Sequence, residues 1–255
     1  ALPQDKLQAI AAEFNFSEVT FVYPPDDLRN TAKVRIFTPT LELPFAGHPL
    51  IGTAIALADI GFPADMTLEL GIGPVPCSVA DGRAQFTTTV PLTRDNTPDV
   101  ALVADALGLA PDDIAVHVHA PVQAGVGVPF VIAQLADRAA LSRCQPDVAA
   151  MRIGAARYPS KFDFAVLAYV VADDLIHARM FAPLDNIPED PATGSAAAAL
   201  AALLFDVTGA AQDLTIHQGD DMGRPSVIHA RADAAGVTIS GQAVRMMEGQ
   251  FFGHK

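Results

Sequence analysis

The chain has 255 residues, of which 51% are hydrophobic, and its 16 Lys and Arg face 29 Asp and Glu for a formal net charge of −13. That length suits one large domain or two of roughly 100–150 residues, and the apolar fraction is enough for real cores and argues against disorder. The acidic balance argues against nucleic acid and acidic membranes as partners, since both reward a basic face; a solvated acidic surface accounts for it.

In chain order, Leu7, Ile10, Ala11 and Phe14 recur at helical spacing behind a Leu-Pro-Gln-Asp starter, which predicts an amphipathic first helix. Asn15-Phe-Ser-Glu18 breaks it. Val19–Tyr23 then reads as a strand ending at Pro24-Pro25, and Val34–Thr38 as another. A helix from Pro49 to about Ile60 stops at Gly61, an ordinary C-terminal signal. Strands are expected at Thr67–Leu70, Val75–Val79 and Ala84–Thr89, with Asp81-Gly82 as a hairpin turn. The loop Asp95–Pro98 is the expected boundary between a lobe of residues 1–97 and a second of 98–240, and Asp99–Gly108 reads as a helix.

In the second half, Ala115–Ala120, Pro129–Ala133, Phe164–Val171 and His177–Phe181 look like strands, with a helix within Val148–Tyr158. A helix Pro191–Phe205 follows, then strands at Leu214–Gln218, Ser226–Ala232, Gly236–Ser240 and Ala243–Glu248. The last, within 241–255, is expected to return to the first lobe. Ala196–Leu204 carries no charge at all, and a helix apolar all round belongs in a core. Each half is therefore expected to wrap a mixed sheet around one central helix, an α/β (α+β) fold of two pseudo-symmetric lobes.

Cys77 and Cys144 lie in unrelated contexts without CxxC spacing, which fits a reducing cytosol and a cytoplasmic protein better than a disulfide framework. No apolar run approaches the roughly 20 residues of a membrane span. No basic segment leads into an apolar run at the start, so no secretory signal is expected. The chain opens without Met, directly in a helical pattern, which hints at a processed or truncated start.

Two stretches repeat one another. Arg35-Ile-Phe-Thr-Pro39 precedes Gly47-His-Pro-Leu-Ile-Gly-Thr-Ala54, and Arg179-Met-Phe-Ala-Pro183 precedes Glu189-Asp-Pro-Ala-Thr-Gly-Ser-Ala196. In both, an Arg-bearing strand feeds a loop that opens a helix with Pro at its first position, where no helical donor is wasted. A helix start exposes unpaired N–H groups and the positive end of the dipole, so each of the two suits an anion. The pair suggests a two-lobed protein gripping a small acid.

From position alone, Glu18 is either a surface glutamate at a helix end or a loop carboxylate aimed into a cleft. Asp190 is either the N-cap of its helix, Asp before Pro being a standard pairing, or a site residue. His48 holds the equivalent place in the first copy, either as a hydrogen-bonded structural residue or as a proton relay. Ser195 is either a small packing residue or a substrate contact, and no Gly-x-Ser-x-Gly elbow marks it as a nucleophile. The backbone of Gly47, Thr193 and Gly194 would let a carboxylate approach the N–H groups of the helix starts. His117 and His119 fall on one face of an expected strand, but without a third ligand nearby no metal is expected. Gly71-Ile-Gly73 and Gly125-Val-Gly127 lack the context of a dinucleotide fingerprint.

With these residues in hand, the chain resembles the PhzF family, isomerases named after phenazine biosynthesis. The resemblance rests on Asn15-Phe-Ser-Glu18, on Arg35–Thr38 with Glu42-Leu-Pro-Phe-Ala-Gly-His-Pro49, on Glu189–Ala196, and on Gln218-Gly219 with Met222-Gly-Arg-Pro-Ser226. It implies a diaminopimelate epimerase-like fold with the site between the lobes, and a homodimer. It further implies Glu18 as the general acid/base that moves a proton between carbons of a small carboxylate without any cofactor. Asp190, His48 and Ser195 are implied beside it in the site, with Gly47, Thr193 and Gly194 binding substrate. Relatives usually begin with an N-terminal strand and a Gly-Asn-Pro segment, which this sequence lacks. A racemase on the same fold would need a thiol at each helix start, where neither Cys77 nor Cys144 lies; a non-catalytic small-acid binder is the other alternative.

Overall fold

The helix that the sequence leaves without a polar face is the one the second half of the molecule is built around. The computed structural model describes residues 6–160 and 163–250. The Leu-Pro-Gln-Asp starter and residues 251–255 lie outside them. Backbone contacts divide the chain into two units, 1–87 with 240–255, and 88–239.

In the first unit, helix α1 (Leu7–Phe14) leads into strands β1 (Val19–Tyr23), β2 (Ala32–Phe37) and the two-residue β3 (Glu42–Leu43). Helix α2 (Gly47–Asp59) follows, then β4 (Asp65–Leu70), β5 (Gly73–Ala80) and β6 (Arg83–Thr88). The strands lie in the order β1-β2-β4-β5-β6, with β3 on β2, and all neighbours run antiparallel except the parallel pair β2 and β4. Alternation sorts the residues of β2 between two faces: Val34 and Ile36 are buried on one, while Phe37 joins Phe21 and the α1 residues Leu7, Ile10 and Ala11 in a cluster on the other. Phe21 and Phe37 meet edge to face at 5.5 Å. Helix α2 buries eight of its thirteen residues, and its Thr53 hydroxyl reaches Thr20 of β1 at 2.9 Å. The Asp81-Gly82 turn is as expected, with both residues at positive φ, 51° and 71°, the signature of a tight hairpin.

The second unit begins with β7 (Thr93–Asn96) and α3 (Val100–Leu107), followed by β8 (Val122–Gly125), β9 (Pro129–Gln134), α4 (Arg138–Arg143) and α5 (Val148–Arg157). Then come β10 (Val166–Ala172), β11 (Leu175–Ala182), β12 (Ile187–Asp190), α6 (Gly194–Thr208), β13 (Gln212–Gln218), β14 (Ser226–Asp233) and β15 (Gly236–Gln242). The order is β14-β13-β11-β10-β9-β8-β7 with β12 on β11; β9–β10 and β11–β13 are parallel. Helix α6 touches β8 and β9 as well as β13 and β14, strands far apart in that order, so the sheet curls around it. Gly194 and all of Ala196–Leu204 are buried, as an uncharged helix requires. Helices α3, α4 and α5 cover the opposite face over a core that includes Val131, Ala133, Val166, Ala168 and Phe181. Among the described residues no helix is long and apolar enough to cross a membrane.

Four expectations fail. Ala115–Ala120 is not a strand; only Ile114 bridges to Leu135, so His117 and His119 lie in a loop rather than on a strand face. His119 Nδ1 donates to its neighbour's carbonyl, Ala120 O, at 2.8 Å, which leaves Nε2 to accept from the buried Tyr169 hydroxyl, also at 2.8 Å. Asp95 and Asn96, expected in a loop, end β7. Ala243–Glu248 has no regular structure, since β15 stops at Gln242. Finally, neither helix starts on its proline: Pro49 is the third residue of α2, and Pro191 lies three residues ahead of α6.

Candidate active site

The repeat read from the sequence is a repeat of structure. In the first copy β2 pairs with the short β3 and α2 follows; in the second β11 pairs with the short β12 and α6 follows. In each, the strand arginine forks onto a glutamate of the short strand. Arg35 holds Glu42 through two bonds of 2.7 Å, and Arg179 holds Glu189 through two of 2.8 Å. Each guanidinium also lies over a phenylalanine two residues on, Arg35 over Phe37 at 5.1 Å and Arg179 over Phe181 at 4.8 Å. The copies differ in burial. Arg179 is buried, and its Nη1 donates to the carbonyls of Leu141, Ser142 and Cys144 at 3.1, 3.3 and 3.1 Å. Among the described residues, Arg35 has no such cage. The fork fixes the short strand, and the short strand leads into the helix start.

At the start of α2, Ala46 is the cap residue and offers no side chain to the first-turn N–H groups. His48 follows Gly47 in that turn. Its Nε2 lies 3.1 Å from Glu18 Oε2, a contact within ion-pair range but not aligned as a hydrogen bond. The Glu18 side chain is only 11% exposed and sits one residue before β1, while that of His48 is 39% exposed. Two residues 30 apart in sequence thus meet as a carboxylate–imidazole pair.

At the start of α6 the N-cap reading of Asp190 is overturned. Asp190 ends β12, and the cap position belongs to Thr193, at φ −107° and ψ 85°. Pro191 accounts for the shift, because it disfavours helical backbone at the residue before it and so keeps Asp190 extended. Thr193 does not cap α6 with its side chain either. Its hydroxyl donates to Asp190 Oδ2 at 2.6 Å, and Gln218 Nε2 in turn donates to that hydroxyl at 2.9 Å and to Asp190 O at 2.7 Å. Gln218 Oε1 accepts from Thr193 N at 3.2 Å. Asp190, Thr193 and Gln218 are all buried. The loop after Gln218 is tied to the same place: the Ser226 hydroxyl lies 2.6 Å from Pro191 O and 3.2 Å from Gln218 O. Ser195 is half-buried as the second residue of α6, beside Gly194.

By contrast, α4 and α5 are capped by carboxylates: Asp137 accepts from Ala140 N at 2.7 Å, and Asp147 from Ala149 N and Ala150 N at 2.8 and 2.9 Å. Helix α3 also lacks a side-chain cap, its Asp99 being turned to Arg157. Helices α2 and α6 therefore keep first-turn donors that no capping side chain fills, which is what binding an anion there requires. The cysteines stand apart from both helix starts. Cys77 lies in β5 and Cys144 at the end of α4, and burial pushes both thiols up to about 12. Among the described residues no group of three or more His, Cys, Asp or Glu is placed to hold a metal.

Glu18 and His48 are thus brought together, as are Asp190 and Thr193. Gln218 is legible in the sequence only as part of a motif, without a role. Its signal is the pairing of a strand-ending glutamine with glycine at Gln218-Gly219.

Comparison with known proteins places the chain in a family. The family model of phenazine biosynthesis-like proteins, PhzC-PhzF, matches residues 1–249. An uncharacterized isomerase of Mesorhizobium japonicum is 40% identical, the match covering 96% of this chain and 88% of the relative. Trans-2,3-dihydro-3-hydroxyanthranilate isomerase of Pseudomonas aeruginosa is 36% identical over 98% of this chain and 90% of its own. Among solved structures, the PhzF-family phenazine biosynthesis protein of Bacillus anthracis superposes with a TM-score of 0.80 at 21% identity, covering 94% of this chain and 86% of that one.

Proposed function

Since the chain belongs to the PhzC-PhzF phenazine biosynthesis-like family and is an isomerase of it, we propose that it moves a proton between two carbons of a small carboxylate substrate, with Glu18 as the acid/base. Glu18 Oε takes the proton from one carbon, the carbon–carbon double bond shifts along the substrate, and the same carboxyl returns the proton to another carbon. Nothing is oxidised or reduced, so the reaction needs no cofactor. His48, 3.1 Å from Glu18, assists by donating to a substrate oxygen or by relaying the proton. Asp190 and Ser195 contact the substrate, and the first-turn N–H groups beginning at Gly47 and at Gly194 hold its carboxylate, the Thr193 N–H being engaged by Gln218 Oε1. The observation that carries this reading is the close Glu18–His48 pair at a helix start with unfilled donors, inside a chain 36% identical to an isomerase of dihydro-hydroxyanthranilate.

The same reading takes a small cyclic carboxylate as substrate and a homodimer as the assembly, which light scattering would check. A racemase using one thiol from each helix start finds no support, because both cysteines are buried elsewhere. The test is deuterium incorporation from heavy water into trans-2,3-dihydro-3-hydroxyanthranilate and a panel of small cyclic amino acids. Exchange at carbon that disappears in a folded Glu18→Gln variant is expected. Exchange that survives the substitution would refute the role of Glu18, and tight binding without exchange would favour a non-catalytic binder.

A further inference from the structure

We propose that Gln218 and Thr193 form a positioning relay that fixes the orientation of the Asp190 carboxylate. The inference rests on the reading that Asp190 belongs to the site, and it goes further by assigning roles to two side chains that do not themselves react. Asp190 is the last residue of a four-residue strand and is followed by proline, a place with little intrinsic rigidity. Buried polar groups supply the rigidity instead. Gln218 ends β13, whose register with β11 places it beside Ala178, and Ala178 has too small a side chain to compete for the space. Its amide is used at both ends. The oxygen accepts from Thr193 N, and the nitrogen gives one proton to Asp190 O and one to Thr193 Oγ1.

Those bonds settle the direction of the next one. With a donor already pointing at it, the Thr193 oxygen must send its own proton onward, and Asp190 Oδ2 at 2.6 Å is where it goes. A short hydroxyl–carboxylate bond of this kind is charge-assisted and directional. The chain of bonds Gln218 to Thr193 to Asp190 therefore locks both the backbone and the side chain of the acid. The loop beyond holds Gln218 in turn: Gly219 adopts φ +83° with Arg224 O close behind it, and Ser226 ties Pro191 O to Gln218 O.

The relay is tested with Thr193→Val, Thr193→Ser, Gln218→Glu and the double variant Thr193→Val/Gln218→Glu. Valine keeps the shape of threonine without the hydroxyl. Glutamate keeps the acceptor for Thr193 N but loses both donations and draws the Thr193 proton away from Asp190. We expect Thr193→Val and Gln218→Glu each to lower the exchange rate by about tenfold to hundredfold. Thr193→Ser should return to within a few-fold of wild type, and the double variant should be no worse than the poorer single one, because both act through one bond. A rate within about threefold of wild type in Thr193→Val, a failed rescue by serine, or additive losses would each overturn the relay. Crystal structures of the same variants give a readout independent of turnover: the Asp190 carboxylate should rotate in Thr193→Val and Gln218→Glu and stay in place in Thr193→Ser. An unmoved carboxylate sinks the relay even in an active enzyme. A rotated one in a protein without Glu18-dependent exchange upholds the relay and sinks the isomerase reading instead.

Discussion

Removing the arginine from each copy of the repeat should have very unequal effects on stability, and the structure says why. Take Arg179→Met and Arg35→Met, each of which keeps a flexible apolar stem near the phenylalanine that the guanidinium covers. In the second copy the substitution strands a Glu189 carboxylate whose side chain is 15% exposed, and it removes the donor from three carbonyls of α4 and its end. Breaking a buried ion pair from one side costs about 3–5 kcal/mol, because the surviving charge has neither water nor partner. In the first copy, Glu42 is 42% exposed and Arg35 22%, so water replaces the lost partner and the cost falls to about 0–1 kcal/mol. Unfolding in urea followed by circular dichroism should thus show a midpoint far lower for Arg179→Met and little changed for Arg35→Met. Adding Glu189→Leu to Arg179→Met should recover much of the loss, since an apolar pair avoids the desolvation that a lone carboxylate suffers. Equal effects at the two positions, or no recovery in the double variant, would refute the argument from burial.

Three further outcomes follow from single sites. Both thiols, buried and pushed up to about 12, should resist labelling by a disulfide reagent at pH 8 in the native protein and react within seconds in denaturant; fast native labelling of either would contradict the packing. Burial, with Asp163 nearby as a second cause, raises the Asp185 carboxyl to about 6, and its Oδ2 finds no hydrogen-bond partner among the described residues. The folded state then holds its proton longer than the unfolded one, so stability declines as pH rises from about 4 to about 6. Asp185→Asn should remove that decline and stabilise the protein at pH 7 by on the order of 1 kcal/mol after solvent screening, and an unchanged pH–stability curve would count against it. Gly219→Ala would bring a Cβ within 2.2 Å of Arg224 O at a φ of +83°, so it should destabilise the protein and lower exchange activity by moving Gln218; wild-type behaviour in both would contradict this.

How far the sequence can be read depends on whether local pattern or tertiary pairing decides each element. The uncharged run at Ala196–Leu204 is legible because burial is its only stable solution, and α6 proves buried along that whole run. Ala115–Ala120 alternates like a strand, yet alternation supplies no hydrogen-bonding neighbour; there the backbone finds a single bridge at Ile114, and His119 engages Tyr169 instead. The opposite effect hides β8, whose four residues are all buried and so show no alternation at all. Of the candidate residues, His48 and Asp190 stand out because reactive residue types lie beside helix-start signals, and Glu18 because it closes the break between the first helix and β1. Proline misleads at both starts, since its preference for the first helical position is overridden: Pro49 comes two residues later, and Pro191 holds Asp190 at the end of a strand. Gln218 lies outside that logic, because a glutamine becomes informative only when its two ends meet two particular partners, and those come from 28 and 25 residues away.

The two copies differ where it matters for the direction of the chemistry. They share the arginine fork, the aromatic beneath it and a helix start with no side-chain cap, so the scaffold is symmetric. Their acids are not held alike. Glu18 lies 3.1 Å from the His48 imidazole. Asp190 is held at its carboxylate by the Thr193 hydroxyl and at its backbone oxygen by the Gln218 amide. A racemisation that must run equally from either face is served by two equivalent bases. Moving a proton from one carbon to another is served by one mobile acid/base and a fixed group that holds the substrate still. If, as proposed, Glu18 is that acid/base and Asp190 that fixed group, exchange should be lost outright with Glu18→Gln but only weakened with Asp190→Asn, which keeps the shape of the side chain and alters its charge. Equal loss from both substitutions would mean that the two carboxylates share the proton transfer.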